Sequence, residues 1–297
     1  MPFQNKGILK RLGNIVYCFL NQGDINHITG DIHYVAAFLK RRKTILTILD
    51  CGMLHFSKGL KHRLFKYFWY KMPAGKSAHI TAISQATKQD VVKFTGCDED
   101  KVSVVYVCIN PAFTKKSKPF NVDEPRILQI GTAHNKNLER LIPALKGISC
   151  KLVVIGKVSN DLHKIIIANN VTCEILDWRL TDEEVREEYY KCDILSFVST
   201  LEGFGMPIVE ANAVGRVVIT GNVTSMPEVA GNAAHLVDPF SIEDIRTGFI
   251  KIINDAAYRE QLIENGYKNH SRFSKETITR QFSDLYKKIH SLKEQKL

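Results

Sequence analysis

The sequence lacks a long hydrophobic run, a metal-binding cysteine pair and a signal peptide. None of its apolar stretches approaches the roughly 20 residues that a membrane-spanning helix needs. Met1–Arg11 has neither a long apolar core nor a small-residue cleavage site. The seven cysteines are scattered and none forms a CxxC pair. This spacing disfavours a zinc site or a disulfide framework and predicts a protein of the reducing cytoplasm.

Acidic residues are scarce in the first part of the chain. Residues 1–118 contain 19 Lys and Arg against 7 Asp and Glu, whereas the remaining residues contain 22 against 24. This asymmetry predicts an anionic partner for the first part: a nucleic acid, a membrane surface or a phosphorylated substrate. No recognised nucleic-acid motif accompanies the charge, so nucleic-acid binding is the least favoured of the three.

Short apolar runs alternate with segments of helical spacing along most of the 297 residues. We predict buried strands at 44–50, 77–84, 102–107, 126–130, 151–155, 173–177, 193–198, 216–220 and 233–237. Helices are predicted at Leu138–Leu145, Asp182–Lys191 and Lys275–Leu297, where apolar residues recur every three or four positions. Buried strands separated by helices predict βαβ units and parallel sheets, hence an α/β fold.

A segment rich in proline and lysine, residues 110–126, interrupts the pattern and predicts a linker. The predicted domains are therefore 1–115 and 116–274. Residues 275–297 form a last helix, which we expect to pack back on the first domain.

The most informative segment is residues 196–220, SFVSTLEGFGMPIVEANAVGRVVIT. A strand ends at Val198, a loop with Gly203 and Gly205 follows, and Pro207 lies where a helix should begin. Free N–H groups at such a helix start attract phosphate, and the carboxyl end of a parallel strand is where α/β proteins bind ligands. Glu202 and Glu210 bracket the loop, and carboxylates accept hydrogen bonds from sugar hydroxyls.

The stretch EGFGMPIVEANAVGRVV resembles the E-x7-E signature of the retaining GT-B glycosyltransferases of family 4, the glycosyl transferases group 1. The similarity continues in QIGTAHNKNLERLIPAL, in SMPEVAGNAAHLVDP and in ITAISQATKQDV of the first domain. The resemblance implies an α/β, GT-B fold, with two Rossmann-like doubly wound domains facing across a cleft that holds a nucleotide-sugar donor. It also implies catalysis with no cofactor and no metal.

Carried over residue by residue, the resemblance implies roles for individual side chains. Glu210 would bind the ribose hydroxyls, Glu202 the hydroxyls of the donor sugar, and Lys136 the leaving diphosphate, whose developing charge a fixed cation stabilises. The implied donor-binding set is Gly131, Thr132, Lys136, Asn137, Trp178, Leu180, Glu202, Gly203, Phe204, Gly205, Met206, Pro207, Ile208 and Glu210. An alternative for Trp178 is a partly buried packing residue.

The sequence departs from the family pattern in several places. Arg216 replaces a usual proline, and Thr132 stands where many relatives carry a second cation. The strand, glycine-rich loop and helix that open the family's first domain have no counterpart before Asp24, so we expect that domain to be incomplete. Residues 23–39 resemble the strand and helix that normally follow this opening.

The first domain also lacks a histidine that relatives often carry beside an aspartate. Leu49 precedes Asp50 at the end of the strand 44–50, in place of the usual His-Asp pair. Asp50, with Glu202 and Lys136, is kept as a candidate catalytic residue. Asp31, His33 and Asp50 are candidates for orienting the acceptor, although a structural or surface role is the ordinary one for a histidine such as His33.

The segment Lys58–Lys76 mixes basic residues with leucines and aromatic residues. A basic amphipathic helix is typical of membrane-surface binding, so peripheral association with the cytoplasmic face of the inner membrane is one interpretation. The other is a helix whose aromatic face packs on the first sheet.

We therefore predict a cytoplasmic, metal-independent, retaining glycosyltransferase. It would move a hexose or an N-acetylhexosamine from a nucleotide sugar, UDP rather than GDP, to a glycan acceptor in surface polysaccharide synthesis, plausibly a lipid-linked one. The alternative is a non-catalytic or partner-dependent nucleotide-sugar-binding module. A GT-B epimerase is disfavoured, because the E-x7-E context points to transfer.

Overall fold

The computed structural model describes residues 2–4, 7–56 and 59–294, except the side chains of residue 56 and of 292–294. Contacts divide the chain into two compact units. Unit 1 comprises Met1–Tyr106 and Glu276–Leu297, and unit 2 comprises Val107–Lys275. The boundary predicted after residue 115 falls later than this division, inside a segment without helix or strand between Val104 and Arg126.

Unit 1 contains a four-stranded parallel sheet in the order β1-β2-β3-β4. The strands are β1 (Asn26–Ile28), β2 (Thr44–Ile48), β3 (His79–Ala82) and β4 (Val102–Val104). The helices are α1 (Ile8–Leu20), α2 (Gly52–Phe56), α3 (Leu60–Lys66), α4 (Met72–Lys76), α5 (Gln85–Thr95) and α13 (Lys275–Glu294), and short 3₁₀ turns span His33–Phe38, Arg41–Lys43 and Glu99–Lys101. Every residue of β2 and β3 is buried, as their apolar sequences predict.

Helix α13 contributes apolar side chains to unit 1. Leu285 and Ile289 pack with Ile45 of β2. The Tyr286 hydroxyl lies 2.7 Å from Nδ1 of His27, and Nε2 of the same ring lies 2.7 Å from the hydroxyl of Thr47. Burial lowers the pKa of His27. The ring therefore serves as a neutral hydrogen-bonding link between β1, β2 and α13.

The stretch after Gly59 is not one regular helix. A π-helical segment, Tyr67–Lys71, separates α3 from α4. Pro73 has no N–H to donate to the carbonyl of Trp69 four residues earlier. That carbonyl instead accepts a hydrogen bond of 2.9 Å from Nδ1 of His33. The missing helical bond explains why the single amphipathic helix predicted for this segment was wrong.

Unit 2 contains a six-stranded sheet in the order β10-β9-β8-β5-β6-β7, with every pair parallel. The strands are β5 (Arg126–Ile130), β6 (Lys151–Ile155), β7 (Cys173–Leu176), β8 (Ile194–Phe197), β9 (Val217–Gly221) and β10 (His235–Val237). The helices are α6 (Leu138–Ala144), α7 (Asn160–Asn169), α8 (Asp182–Lys191), α9 (Met206–Val214), α10 (Met226–Ala230), α11 (Ile242–Asn254) and α12 (Ala256–His270).

All nine predicted strands are present, within a few residues of the expected bounds. Helix α8 has the predicted bounds because Thr181 and Glu184 form a capping box that fixes its first turn. Two features of unit 1 differ from expectation. Helix α1 was not predicted, and residues 33–38 form a 3₁₀ turn rather than the expected α-helix.

Candidate active site

The candidate site of unit 2 lies where the strand order reverses. The chain runs outward from β5 through β6 to β7 and then returns to place β8 on the other side of β5. The loops that leave the carboxyl ends of β5 and β8 therefore diverge and leave a crevice, which is where open α/β sheets bind ligands. The first loop carries residues 131–137 and the second carries residues 198–205.

Lys136 and Glu202 meet in this crevice. Lys136 Nζ lies 2.7 Å from Glu202 Oε1, and both side chains are largely buried, with exposed fractions of 20% and 15%. The ammonium group also lies 4.7 Å from the centroid of the Phe197 ring. Asn135 donates from Nδ2 to the same carboxylate oxygen at 3.3 Å. The two candidate catalytic residues of unit 2 are thus brought into direct contact.

The β5 loop is shaped to hold Lys136. Gly131 has a φ of +85°, and a Cβ there would lie 3.3 Å from Lys136 Cε. Asn137 is buried in the left-handed conformation with a φ of 63°. Its amide donates to the carbonyl oxygens of Val198 and Pro239 at 2.9 and 2.6 Å. Asn137 therefore joins the β5 loop to the end of β8, whereas the Thr132 hydroxyl is engaged with the carbonyl of Lys157 at 2.7 Å.

The β8 loop turns sharply into helix α9. Gly205, with a φ of +114°, precedes the helix, and Met206 and Pro207 occupy its first two positions. A Cβ on Gly205 would meet Ile208 at 3.1 Å and Phe197 at 3.3 Å. Ser225 braces the loop, because its one hydroxyl proton is shared between the carbonyl oxygens of Glu202 and Phe204 at 3.0 and 2.7 Å. At the start of α9, Pro207 has no N–H and the Ile208 N–H donates to the carbonyl of Gly205 at 3.0 Å, which leaves the amides of Gly205 and Met206 as the donors that can bind an anion.

Glu210 lies one turn further along α9. Its Oε2 accepts a 2.5 Å hydrogen bond from the hydroxyl of Tyr189, a buried residue of α8. Burial raises the pKa of Glu210, because desolvation opposes the charged form, and the hydrogen bond from Tyr189 acts in the opposite direction. The carboxylate of Glu210, to which the family resemblance assigns the ribose, is thus held in one orientation by Tyr189. Tyr189 is not in the predicted donor-binding set.

The loop after β7 carries Trp178 and Leu180, two residues of the implied donor-binding set. Trp178 is 56% exposed, which contradicts the alternative of a packing residue. The ammonium group of Lys157, which follows β6, lies 4.7 Å from its ring centroid. Arg179 forms an ion pair with Asp177 at 2.6 Å, and Leu180 is half-buried.

Unit 1 contains a separate cavity of about 520 Å³. Its lining includes Asp31, His33 and Asp50, the three acceptor candidates, together with Arg11 and Trp69. Asp31 accepts a 2.6 Å hydrogen bond from Trp69 Nε1, and Asp50 accepts one of 2.8 Å from the amide of Gly52. The structure therefore brings these three side chains to one cavity of unit 1.

The geometry around His33 defines its tautomer. Nδ1 bonds to the Trp69 carbonyl, which can only accept, so Nδ1 carries the proton. Burial lowers the pKa of His33, which favours the neutral ring. Nε2 therefore presents a lone pair that can accept a hydrogen bond from a hydroxyl group.

In the parts of the chain that the structure describes, no three His, Cys, Asp or Glu side chains are grouped so that they could hold a metal ion. No helix among residues 7–56 and 59–294 has both the length and the apolar character needed to cross a membrane.

Comparisons with known proteins were made for the whole sequence. Residues 112–269 match the family model described as glycosyl transferases group 1, and residues 21–113 match the model described as glycosyltransferase family 4. The chain is 28% identical over 219 residues to the serotype-specific mannosyltransferase WbdA of Escherichia coli, an alignment that covers 66% of this chain and 27% of that protein. The chain thus spans about a quarter of that relative's length.

Two further proteins match over most of the chain. The capsular polysaccharide biosynthesis glycosyltransferase CapM of Staphylococcus aureus is 25% identical over 282 residues, covering 86% of this chain and 73% of that protein. The crystal structure of Anabaena HepE in complex with UDP-glucose has a TM-score of 0.81 at 18% identity, covering 96% of this chain and 85% of that chain.

Proposed function

This chain belongs to the glycosyl transferases group 1 family, and from that premise we propose that it transfers a hexose or an N-acetylhexosamine from a nucleotide sugar to a glycan. The observation that carries the proposal is the contact between Lys136 and Glu202 beside the start of α9. A cation, a carboxylate and the amides of Gly205 and Met206 at the helix start meet at one crevice. This combination suits a ligand with a diphosphate and a polyhydroxylated ring.

The family match confirms the resemblance noted in the sequence, and the two parallel sheets with their helices confirm the α/β GT-B fold with two Rossmann-like units. The names of the relatives place them in mannosyl transfer and capsular polysaccharide synthesis. These names support surface polysaccharide assembly as the setting of the reaction. UDP is our proposed carrier, supported by the UDP-glucose bound to HepE.

In the proposed reaction, Lys136 stabilises the charge that develops on the departing diphosphate. The N–H groups at the start of α9 bind the same group, Glu202 accepts hydrogen bonds from the sugar hydroxyls and Glu210 binds the ribose. We further propose that the acceptor hydroxyl attacks the face from which the diphosphate leaves, retaining the anomeric configuration, and that a diphosphate oxygen takes the hydroxyl proton. This route needs no metal ion and no covalent bond to Glu202.

We propose that the unit 1 cavity binds the acceptor. Two carboxylates and the free lone pair of His33 Nε2 converge there, and all are acceptors for the hydroxyl groups of a glycan. The volume of about 520 Å³ lies within the usual range for small-molecule pockets. Mass spectrometry of candidate acceptors with wild type and Asp31→Asn tests this assignment.

We also propose peripheral membrane association through the segment Lys58–Lys76, whose first residue lies outside the described residues. Phe65, Trp69 and Tyr70 pack into the core of unit 1. Other apolar side chains of the same stretch stay exposed, among them Leu64 and Phe68 at 52% and 53%. Co-sedimentation with phosphatidylglycerol vesicles should exceed that with phosphatidylcholine vesicles, and a double variant Leu64→Ser and Phe68→Ser should reduce it.

The proposal is tested first by calorimetry. Wild type, Glu210→Ala and Glu264→Ala are titrated with UDP and with GDP, and nucleotide-sugar turnover is followed by mass spectrometry. Glu264 is an exposed glutamate of α12 and serves as the matched control. We expect UDP binding that only Glu210→Ala weakens, with slow release of sugar. Tighter binding of GDP would overturn the base assignment. Absence of binding to either nucleotide would overturn the transferase proposal.

A further inference from the structure

The hydroxyl of Tyr189 is buried and directed at a single group. Tyr189 has no exposed surface, and its ring packs edge-on against Phe113 with centroids 5.3 Å apart. Its Oη lies 2.5 Å from Oε2 of Glu210. A buried tyrosine hydroxyl normally finds a hydrogen-bond partner, and here that partner is a carboxylate of the site rather than a backbone carbonyl.

The two oxygens of Glu210 differ in their surroundings. Oε2 accepts the bond from Tyr189, whereas no side chain or amide in the described ranges donates to Oε1. A carboxylate with one oxygen fixed and the other open has a defined plane and a defined direction for its free lone pairs. Such a group is prepared to accept hydrogen bonds from a ligand without losing further side-chain freedom on binding.

We propose that Tyr189 is the positioning residue for ribose recognition, acting through Glu210. The proposal rests on the proposed function, in which Glu210 binds the ribose of the nucleotide sugar. The ribose hydroxyls need an acceptor oxygen with a fixed direction, and the bond from Tyr189 to Oε2 restrains the carboxylate so that Oε1 has one. Tyr189 thereby contributes to selection of ribonucleotides over deoxyribonucleotides, although it need not touch the ligand.

The alternative role for Tyr189 is structural, since it lies in the core between α8 and α9. The two roles predict different losses of affinity for nucleotides with and without the ribose hydroxyls. If Tyr189 only supports the fold, its loss weakens every nucleotide equally. If it positions Glu210, its loss weakens only ligands that carry the hydroxyls. The substitution Tyr189→Phe removes the hydroxyl and keeps the ring that packs on Phe113.

The experiment titrates UDP and 2′,3′-dideoxy-UDP into wild type, Tyr189→Phe and Tyr190→Phe by calorimetry. Tyr190 is the matched control, because its hydroxyl lies near the carbonyl of Ala112 and the hydroxyl of Thr114 instead of Glu210. For Tyr189→Phe we expect a roughly tenfold loss of UDP affinity, the size of one charge-assisted hydrogen bond. Binding of the dideoxy nucleotide should change less than about twofold. Equal losses for both ligands would overturn the proposal.

A comparison in the Glu210→Gln variant distinguishes positioning by Tyr189 from misfolding of Tyr189→Phe. In Glu210→Gln, adding Tyr189→Phe should cost much less UDP affinity than it does in wild type, because the positioned carboxylate is already gone. An undiminished loss would contradict positioning through Glu210. If wild type binds neither UDP nor GDP, the proposed function fails and this inference fails with it. If wild type binds UDP and Tyr189→Phe binds it equally well, only this inference fails.

Discussion

Replacing Arg216 should cost unit 2 a large part of its stability. Arg216 stands where relatives usually have proline, and it is buried with an exposed fraction of 4%. Among the described residues, its guanidinium donates to five backbone carbonyl oxygens: those of Tyr189, Tyr190, Lys116, Val214 and Gly215. The group therefore ties together the ends of α8 and α9 and the segment that leads into β5. Carbonyl groups at helix C-termini also interact favourably with a cation.

The magnitude follows from the carbonyls that lose their partner, because that of Val214 keeps the Lys116 amide at 3.3 Å and that of Tyr189 keeps the Cys192 thiol at 3.4 Å. Each buried acceptor that loses its partner costs about 1 kcal/mol or more. Because water can enter the vacated space and satisfy some of them, we expect Arg216→Ala to lower the free energy of unfolding by about 3–5 kcal/mol. At an m-value of about 3 kcal/mol/M, this loss moves the urea midpoint down by roughly 1–2 M.

The measurement is urea unfolding followed by far-UV circular dichroism, which reports helix content. Arg216→Lys keeps the charge but loses the planar fork, so its loss should be intermediate. Arg179→Ala, an exposed arginine beside Asp177, should leave the midpoint unchanged. If Arg216→Ala unfolds at the same midpoint as wild type, then the guanidinium does not hold these helix ends together, and the reasoning is refuted.

Three further results are expected. Gly205→Ala should lower the thermal midpoint and weaken UDP binding, because its φ is +114° and a side chain there costs about 1–2 kcal/mol. Gly75→Ala should do neither, since an added Cβ there would have open space around it. Glu210→Gln should raise thermal stability at pH 8, since a raised pKa means that ionisation disfavours the folded state. The gain should shrink as the pH falls towards about 4 and vanish below it, where the glutamate is protonated in both states, and a gain independent of pH would contradict this origin. Ser225→Ala should raise the KM for the donor by roughly fivefold, because the β8 loop loses the hydroxyl proton that its two carbonyl oxygens share; an unchanged KM would exclude the bracing role.

The strands and the β8 loop could be predicted from the sequence because their signals are local. A parallel strand buried on both faces has a continuous apolar sequence, and Gly205 followed by Pro207 marks a turn into a helix. The pairing of Lys136 with Glu202 is compatible with that prediction. It follows from two loops that leave neighbouring parallel strands at the same edge of one sheet.

Other features could not be predicted because they depend on packing between distant segments. The bond from Tyr189 to Glu210 requires the relative orientation of α8 and α9, which no spacing in the sequence gives. The π-helical segment before α4 depends on a hydrogen bond from His33, more than thirty residues earlier in the chain. The sequence shows Pro73, which indicates a break in the helix. It does not show that His33 donates a hydrogen bond to the carbonyl that Pro73 leaves without a helical partner.

The contact between Lys136 and Glu202 affects which ligands the crevice can bind favourably. In the structure the ammonium group of Lys136 and the carboxylate of Glu202 already form an ion pair at 2.7 Å. A ligand that separates them must therefore offer a new partner to each. A nucleotide sugar offers an anion to Lys136 and hydroxyl groups to Glu202. A nucleoside diphosphate offers only the anion and leaves the largely buried carboxylate with Asn135 at 3.3 Å as its donor, which is less favourable than the ion pair. Under the proposed function, the ion pair would re-form as the diphosphate departs, which would favour release of the product.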